Sequence, residues 1–400
     1  MTGANALARW YPAALALLLG IWLTQLPAAA ARFQRKLATT RPGTGLLLAA
    51  LIIGALILRL AIMTPMHQVY YDEFEHLDIA RNLARTGVFA ETVIGGLPGW
   101  DVLTRPTWPA GHHVALAAVM RLCGSATSVA FAWSGVLSAL SVLLVFWASL
   151  ELFEDERGAL AAAFLWAVCP VVLRYAAACD LTSSSLFWCA AALAALHARE
   201  SEPSPTLDAF TAATLAYAVQ VRFENVLLLA YAAAVCRRRI LLAPAAIGLI
   251  FPLALVWANR AGALAGYVGV APWANFVRQA PSDLIFLAGP GALGILLLPA
   301  LLFSAARSAS WRLLTLAAAY FTVYASYYHG NFTGGSDDRY ALSVLLPLLL
   351  ASAPGLAAMS VPACLLAAGL AWSGPAGPDA EHEAARRFLE RSAVHIPEGA

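Results

Sequence analysis

The sequence predicts an all-α protein that crosses a membrane many times. Of its 400 residues, 61% are hydrophobic and only 12% are charged, and the mean hydropathy is +0.71. A soluble domain cannot bury so much apolar surface, so the bilayer must be part of the solvent. Apolar stretches of about 20 residues recur along the chain, and such a stretch crosses a membrane as a helix.

About twelve stretches are long enough to be candidate spans. They are 11–31, 45–64, 127–150, 157–175, 180–198, 207–221, 223–239, 240–258, 284–304, 312–328, 341–357 and 359–373. The spans divide the chain into three regions. Residues 1–44 hold a first helix and a basic loop, 45–373 the main transmembrane region with an outer loop at 65–126, and 374–400 a short tail.

The N-terminus, the cysteines and the net charge add further expectations. Arg9 and an apolar run from Pro12 resemble a signal peptide, but the run is about 20 residues long, so we expect an uncleaved first helix. The six cysteines show no paired or zinc-type spacing, and we expect them to pack without a structural disulfide. The net charge of +2 gives no indication of nucleic-acid binding.

Basic residues in short loops predict the orientation of the spans. The stretch "RFQRKLATTR" from Arg32, the three arginines at 237–239 and the loop with Arg307 should be cytoplasmic. Alternation then places 65–126, the turns at 174–180 and 222–224, and the segments 259–283, 329–340 and 374–400 on the outside. We therefore predict a multi-pass protein of the inner (plasma) membrane whose active site lies on the extracytoplasmic face, in contact with membrane lipids.

The outer loop begins with the acidic stretch "YYDEFEHLDIARNLARTGVFA". Asp72 is placed to be a helix N-cap with Glu75 at N3, and Gly87 is placed to end the helix. Helical spacing gives the helix an apolar face with Ile79 and Leu83 and a polar face that we expect to be solvated, which is typical of an amphipathic helix on a membrane surface. The residues of the polar face are Glu75, Asp78, Arg81, Asn82 and Arg85.

Two functions for the adjacent Asp72 and Glu73 remain open from the residues alone. Asp72 suits a cap or a general base equally, and Glu73 is required for neither. Partial desolvation near lipid headgroups raises a carboxylate pKa and makes the group a better base.

This stretch resembles the first outer loop of the GT-C glycosyltransferases. The resemblance is to the branch with dolichyl-phosphate-mannose protein mannosyltransferases and bacterial aminoarabinose (lipid A) transferases. Further stretches resemble family segments in the same order, from about Gly45 to Gly355. They are "RPTWPAGHHVALAAVMRLCG" from Arg105, "RYAAACDLTSSSLFWCAAALAAL" from Arg174, "VRFENVLLLAYAAAVCRRR" from Val221 and "GGSDDRYALSVLLPLLLASAPG" from Gly334.

The resemblance implies transfer of one sugar from a polyprenyl-phosphate carrier to an extracytoplasmic glycan, lipid or protein. Asp72 matches the family's catalytic acid and would be the general base, with Glu73 sharing this work or orienting the acceptor. Arg339 is the first candidate to stabilise the released phosphate, followed by Arg222 and Arg278.

Other polar residues on the outer side are candidate substrate contacts. They are Asp180, Glu224, Asp338, Tyr340, His112 and His113. Most of them also have a purely structural interpretation: a helix cap for Asp180, an ion pair with Arg222 for Glu224, contact with water in a mobile loop for Asp338, and a wet helix start for the histidines. Two or three outer carboxylates could hold a divalent metal ion, although no spacing requires one.

Two alternatives without transfer chemistry also fit the composition. A transporter or lipid flippase would more often place polar groups at the membrane midplane on broken helices. A catalytically inactive family member could serve as a scaffold for other enzymes.

Overall fold

The structure is a computed structural model that describes residues 3–92, 103–104, 106, 108–236, 272–289, 291–327, 330–333, 335–359, 364–365 and 369. The chain is helical through nearly all of these residues. One antiparallel pair of two-residue strands, β1 (Glu91–Thr92) and β2 (Leu103–Thr104), lies in the outer loop. The predicted all-α class is confirmed.

The described part of the chain forms fourteen α-helices. They are α1 (Gly3–Ala38), α2 (Thr44–Ile57), α3 (Tyr70–Thr86), α4 (Gly111–Cys123), α5 (Thr127–Phe153), α6 (Glu156–Val168), α7 (Pro170–Ala176), α8 (Thr182–Ser201), α9 (Pro205–Val221), α10 (Val226–Val235), α11 (Pro272–Ala288), α12 (Gly294–Ser304), α13 (Ser308–Ala325) and α14 (Ala341–Ala358). A π-helical turn, Leu58–Ile62, extends α2, and 3-10 turns at Phe223–Asn225 and Gly335–Tyr340 precede α10 and α14.

Four of the described helices are long and apolar enough to cross a membrane alone. They are Trp10–Ala38, Thr44–Ile62, Thr127–Phe153 and Asp337–Ala358. The pair α6 and α7 makes a fifth span if its 56° bend is counted within one crossing. The predicted number of about twelve is not confirmed by this part of the chain.

Two predicted spans are not single continuous helices, because turn residues interrupt them. The stretch 157–175 is divided at Cys169, since Pro170 begins a new helix at its first position and bends the pair. The stretch 284–304 contains "GPGALG", and the structure accordingly ends α11 at Ala288 and begins α12 at Gly294. The predicted spans 240–258 and most of 359–373, the arginines at 237–239 and the tail 374–400 lie outside the described residues.

The helices pack in a continuous series around one apolar core. Helix α1 packs on α9, which packs on α8, and α8 packs on α5. Helix α5 also packs on α2 and α6. Helix α14 packs on α6, α12 and α13. The contacts of α14 are close: a Cβ on Gly355 would lie 2.0 Å from the Ala300 carbonyl oxygen, and one on Gly158 would lie 2.3 Å from that of Ala353. Small residues allow this backbone approach between helices in membranes.

One end of this bundle collects ion pairs. Arg32 lies 2.6 Å from Glu151 and 3.0 Å from Glu202, Lys36 lies 2.8 Å from Glu154, and Arg41 lies 2.9 Å from Glu156. A groove of about 740 Å³ at this end has Arg157 and Arg307 in its lining as well. This is the end that the sequence predicts to be cytoplasmic.

The outer-loop helix α3 begins earlier than the sequence predicts. Its N-cap is Val69, so Asp72 is the third helical residue and the expected cap role of Asp72 is wrong. The reason is that Glu73 accepts the backbone N–H groups of Gln68 and Val69, at 2.6 and 2.9 Å, and so satisfies the helix start from inside the first turn. Gly87 ends the helix with φ 71°, as predicted.

The apolar face of α3 is as the sequence predicts, but the polar face is not. Ile79 and Leu83 are buried, as expected. The polar face is not simply solvated, because Asp78 accepts the N–H of Thr92 at 2.6 Å and Arg81 donates to the carbonyl of Ser125 at 3.0 Å. These side chains hold the outer loop together around α3.

Candidate active site at the acidic end of the bundle

An ion pair between Asp72 and Arg339 lies at the end of the bundle opposite the basic loops. Arg339 Nη1 is 2.9 Å from Asp72 Oδ2, and the two side chains are 10% and 18% exposed. Asp72 comes from the first turn of α3, and Arg339 from the 3-10 turn before α14. The pair therefore joins two segments that are far apart in the sequence.

A second guanidinium lies near the same Tyr340 ring. The Arg339 guanidinium carbon is 4.9 Å from the centre of the Tyr340 ring, and that of Arg222 is 5.1 Å from it. Arg339 Nη2 also donates to the Tyr340 hydroxyl at 3.1 Å. Arg222 has a carboxylate near it, with Glu224 Oε2 3.9 Å away, and both arginines are 8% exposed. Two largely desolvated cations thus lie near one ring, a suitable arrangement for binding an anion.

Asp180 is a buried carboxyl in the turn between α7 and α8. It accepts from the backbone N–H of Thr182 at 3.1 Å and from the Thr182 hydroxyl at 2.5 Å. Burial, together with the negative charge of Glu73, raises the pKa of Asp180 to about 6, while Arg339 and Arg222 act in the opposite direction. Asp180 therefore changes charge close to neutral pH.

Glu75 is a second carboxyl with a raised pKa in this area. Burial and the negative charges of Glu91 and Asp72 raise the pKa of Glu75 to about 7. Glu75 is thus a proton-exchanging group near Asp72 rather than a solvated surface residue.

Glu73 is fully buried, and both of its carboxylate oxygens are engaged. Oε1 accepts from the backbone N–H groups of Gln68 and Val69, and Oε2 lies 2.7 Å from His67 Nδ1 and 2.9 Å from Cys179 Sγ. Burial alone would raise the pKa of Glu73, but the hydrogen bonds from His67, Cys179 and Val69 outweigh it and lower that pKa. Asp72 is therefore paired with a guanidinium, whereas the adjacent Glu73 is held by backbone N–H groups, His67 and Cys179.

Asp338 fastens the segment that carries Arg339. Its Oδ2 is 2.9 Å from Arg174 Nη1, and its Oδ1 accepts from the Tyr175 hydroxyl. Arg174 Nε donates in turn to Gln68 Oε1 at 2.9 Å. One chain of contacts thus connects the loop before α3, helix α7 and the 3-10 turn with Arg339.

His112 and His113 lie at the start of α4, as predicted, but they are buried rather than wet. With His76 they form a cluster in which His76 Nδ1 is 3.0 Å from His113 Nε2. Burial lowers the pKa of His112 to about 4 and also lowers those of His76 and His113, so all three are neutral at pH 7. Both ring nitrogens of His112 lack a hydrogen-bond partner among the described residues.

Arg278 is not brought into this cluster. It lies on the exposed side of α11, where its Nη2 donates to Asn275 Oδ1 at 3.3 Å. Glu224 lies at the edge of the cluster, with its side chain 28% exposed.

Sequence reasoning missed His76, Arg174 and Tyr175 as neighbours of the cluster. His76 follows Asp72 by four residues in one helix, and this spacing alone places both on one face of α3. The negative charge of Asp338 is paired with Arg174, more than 160 residues away, which no local pattern indicates.

Among the described residues, one group of side-chain atoms lies close enough together to bind a metal ion. His67, Glu73 and Cys179 each offer one atom, all within 4.8 Å of one another. The acids Asp72, Asp180 and Glu224, predicted to lie on the outside, form no such group in this part of the chain.

The sequence matches no protein-family model and no curated protein. The fold, however, is similar to solved structures. ArnT from Cupriavidus metallidurans in the apo state gives a TM-score of 0.52 at 15% identity, with 81% of this chain and 62% of that chain covered. ArnT from the same organism bound to undecaprenyl phosphate gives a TM-score of 0.57 at 14% identity, with 83% of this chain and 63% of that chain covered.

An archaeal protein has the same fold. The oligosaccharyltransferase AglB from Archaeoglobus fulgidus, in complex with an inhibitory peptide and a dolichol-phosphate, gives a TM-score of 0.54 at 14% identity over 88% of this chain and 54% of that chain. The chain spans less than two thirds of the length of each of these structures. ArnT and AglB are both GT-C proteins, and the fold of this chain is similar to theirs.

Proposed function

We propose that the chain is a membrane glycosyltransferase that moves one sugar from a polyprenyl-phosphate donor to an acceptor outside the plasma membrane. The observation that carries the proposal is the Asp72–Arg339 ion pair beside Arg222. Sugar transfer from a phosphate carrier needs a base for the acceptor and cations for the released phosphate at one place. The polyprenyl phosphates bound to ArnT and AglB support this donor class.

Asp72 is the proposed general base. The acceptor hydroxyl gives its proton to the Asp72 carboxylate as its oxygen forms a bond to the anomeric carbon of the sugar. The bond from that carbon to the phosphate oxygen breaks, and the phosphate leaves with the electron pair as polyprenyl phosphate. The acceptor class is a hydroxyl-bearing glycan or lipid, or a protein side chain.

Arg339 and Arg222 are the proposed phosphate-binding residues. Both are largely desolvated, so their attraction to a phosphate is stronger than in water. Arg339 is paired with Asp72 before the donor binds, and a bound phosphate competes for the same guanidinium. Donor binding therefore frees Asp72 to act as the base.

The other acids have supporting roles in this proposal. Glu73 positions Asp72, since both of its oxygens are already engaged by the backbone and by His67 and Cys179. Asp180 orients the acceptor, and Asp338 positions Arg339 through its contacts with Arg174 and Tyr175.

The proposed placement in the membrane follows from charge. The ion-paired end with Arg32, Lys36 and Arg41 would face the cytoplasm, and the acidic end would face outside. Residues 45–373 would then form the catalytic region.

Lipid mass spectrometry of the host tests the proposal. Cells that lack the gene are rescued with wild-type protein or with Asp72→Asn, and polyprenyl-phosphate sugars are quantified. Accumulation of one such lipid in the null and Asp72→Asn cells, but not with wild type, supports the enzyme and identifies the donor. Unchanged lipid pools with full rescue by Asp72→Asn would instead favour a transporter or a scaffold.

A further inference from the structure

Three side chains of different chemistry meet beside the candidate active site without forming part of its ion pair. His67 Nδ1 lies 2.7 Å from Glu73 Oε2, Cys179 Sγ lies 2.9 Å from the same oxygen, and Sγ is 3.6 Å from Nδ1. Two of them come from the segment around the start of α3, and the third comes from the turn between α7 and α8. Such a set differs from a cluster of acids, because it offers one nitrogen, one oxygen and one sulfur.

The spacing of these atoms is close to that of a tetrahedral zinc site. Zinc bonds of about 2.0–2.3 Å to nitrogen, oxygen and sulfur place neighbouring ligands about 3.3–3.6 Å apart. The distance between Sγ and Nδ1 already has this value. The two distances to the carboxylate oxygen must each open by roughly 0.6 Å, which is within the range of a side-chain adjustment.

Glu73 is oriented to offer a single oxygen. Its Oε1 is held by the backbone N–H groups of Gln68 and Val69, at 2.6 and 2.9 Å, so Oε2 alone is directed at His67 and Cys179. Outer hydrogen bonds of this kind fix the ligands of metal sites.

His67 is both oriented and accessible. Its ring lies 4.8 Å from that of Phe74 and 5.1 Å from that of Phe131, measured between centres, and its side chain is 21% exposed. Glu73 and Cys179 are buried behind it. An ion can therefore reach the buried ligands past the His67 ring.

We propose that His67, Glu73 and Cys179 bind a zinc ion, with water in the fourth position. A thiolate and an imidazole select zinc over the hard cations magnesium and calcium. Binding releases the thiol proton of Cys179 to solvent, and His67 binds through Nδ1 as the neutral tautomer with its proton on Nε2. The thiolate, the carboxylate and this neutral imidazole together balance the two positive charges of zinc. The filled site is thus electrically neutral, as a buried site requires.

The ion would connect the two segments that carry the acids of the candidate active site. Glu73 is adjacent to Asp72, and Cys179 is adjacent to Asp180. Zinc at this position would therefore fix the start of α3 against the turn between α7 and α8. The role we assign to it is to position these two segments, and no part of the proposed transfer step depends on it.

Metal content of the purified full-length chain tests this proposal independently of transfer activity. The protein is prepared in detergent with a histidine-free tag, equilibrated with buffered zinc, washed and analysed for bound metal. We expect one zinc per wild-type chain and loss of that zinc in Cys179→Ala. Cys169→Ala removes another buried thiol and Cys123→Ala an exposed one, and both should retain the zinc.

Cobalt substitution gives a second measurement that needs no variant. Cobalt in the wild-type protein should show a thiolate-to-cobalt charge-transfer band and the visible bands of a tetrahedral site, and excess magnesium should not remove them. Wild-type protein that shows neither these bands nor bound zinc would overturn the proposal. Bands or zinc that persist in well-folded Cys179→Ala would overturn it too, since the metal would then lie elsewhere.

Discussion

The carboxylate of Asp72 and the guanidinium of Arg339 are each other's partner, at 2.9 Å. In the proposed reaction, these are the base and a phosphate-binding cation. Their pairing holds Asp72 in the site, but it also occupies one of the two carboxylate oxygens that could accept the acceptor's proton. The donor phosphate, in this mechanism, separates the two charges.

Replacement of Asp72 by Asn should abolish most of the transfer activity. The amide keeps the shape of the side chain but cannot accept the acceptor's proton, so we expect the rate to fall by about 10²–10⁴-fold. The measurement is sugar transfer by purified protein in proteoliposomes, using the polyprenyl-phosphate sugar found in the null strain.

Asp78→Asn is the matched control for that variant. Asp78 lies on the same helix, but it accepts from the N–H of Thr92 and not from Arg339. Its amide variant should retain transfer within a few-fold of wild type. Equal activity of the Asp72→Asn and Asp78→Asn proteins would remove Asp72 from the mechanism.

Arg339→Lys should weaken donor binding although it keeps the positive charge. Lysine lacks the planar fork that contacts Asp72 and the Tyr340 hydroxyl together. We expect the KM for the donor to rise by roughly 10–100-fold, as for loss of one charge-assisted hydrogen bond. Arg278→Lys, on the exposed side of α11, should leave this KM unchanged, and an equal effect of both variants would argue against the phosphate-binding role of Arg339.

Asp180 should make the stability of the protein depend on pH in the acid range. Its pKa is raised from 3.8 to about 6 by burial, so the folded chain holds the proton where the unfolded chain has released it. The contribution of this group to the free energy of unfolding should therefore fall by up to about 3 kcal/mol as the pH rises from about 4 to about 6. Above that pH it should stay level.

The Asp180→Asn variant isolates this contribution. Thermal unfolding midpoints in detergent, measured at intervals through this pH range for wild type and variant, should differ in slope, with the flatter profile in the variant. Parallel profiles would show that Asp180 titrates near its ordinary pKa.

Gly355→Ala should destabilise the contact between α14 and α12. The added Cβ would lie 2.0 Å from the Ala300 carbonyl oxygen, which is backbone and can move away only with its helix. We expect a loss of about 1–3 kcal/mol, typical of overpacking, seen as a lower unfolding midpoint. Gly54→Ala, in α2 with no neighbour within 4 Å, is the matched control and should be neutral or slightly stabilising.

The helical class and several helix limits follow from the sequence because their signals are local. Gly87 ends α3 through its left-handed conformation, and apolar spacing identified the buried Ile79 and Leu83. The start of α3 was missed because it depends on Glu73, whose capping contacts run backwards along the chain. The division at Pro170 was readable in principle, since proline favours the first position of a helix.

The candidate site was only partly predictable because its partners are distant in sequence. Asp72, Arg339 and Arg222 were each identified through the family resemblance, but their arrangement around Tyr340 requires the fold. The burial of His112 and His113 was missed because polar residues at a helix start usually face water.

The distance in sequence between Asp72 and Arg339 has a consequence for biogenesis. Asp72 emerges from the ribosome early, whereas Arg339 belongs to the 3-10 turn before α14. A chain is synthesised and inserted from its N-terminus. Asp72 therefore has no Arg339 to pair with until the segment before α14 has been made. A chain that stalls before α14 would leave Asp72 and Arg174 without the ion-pair partners that Arg339 and Asp338 supply.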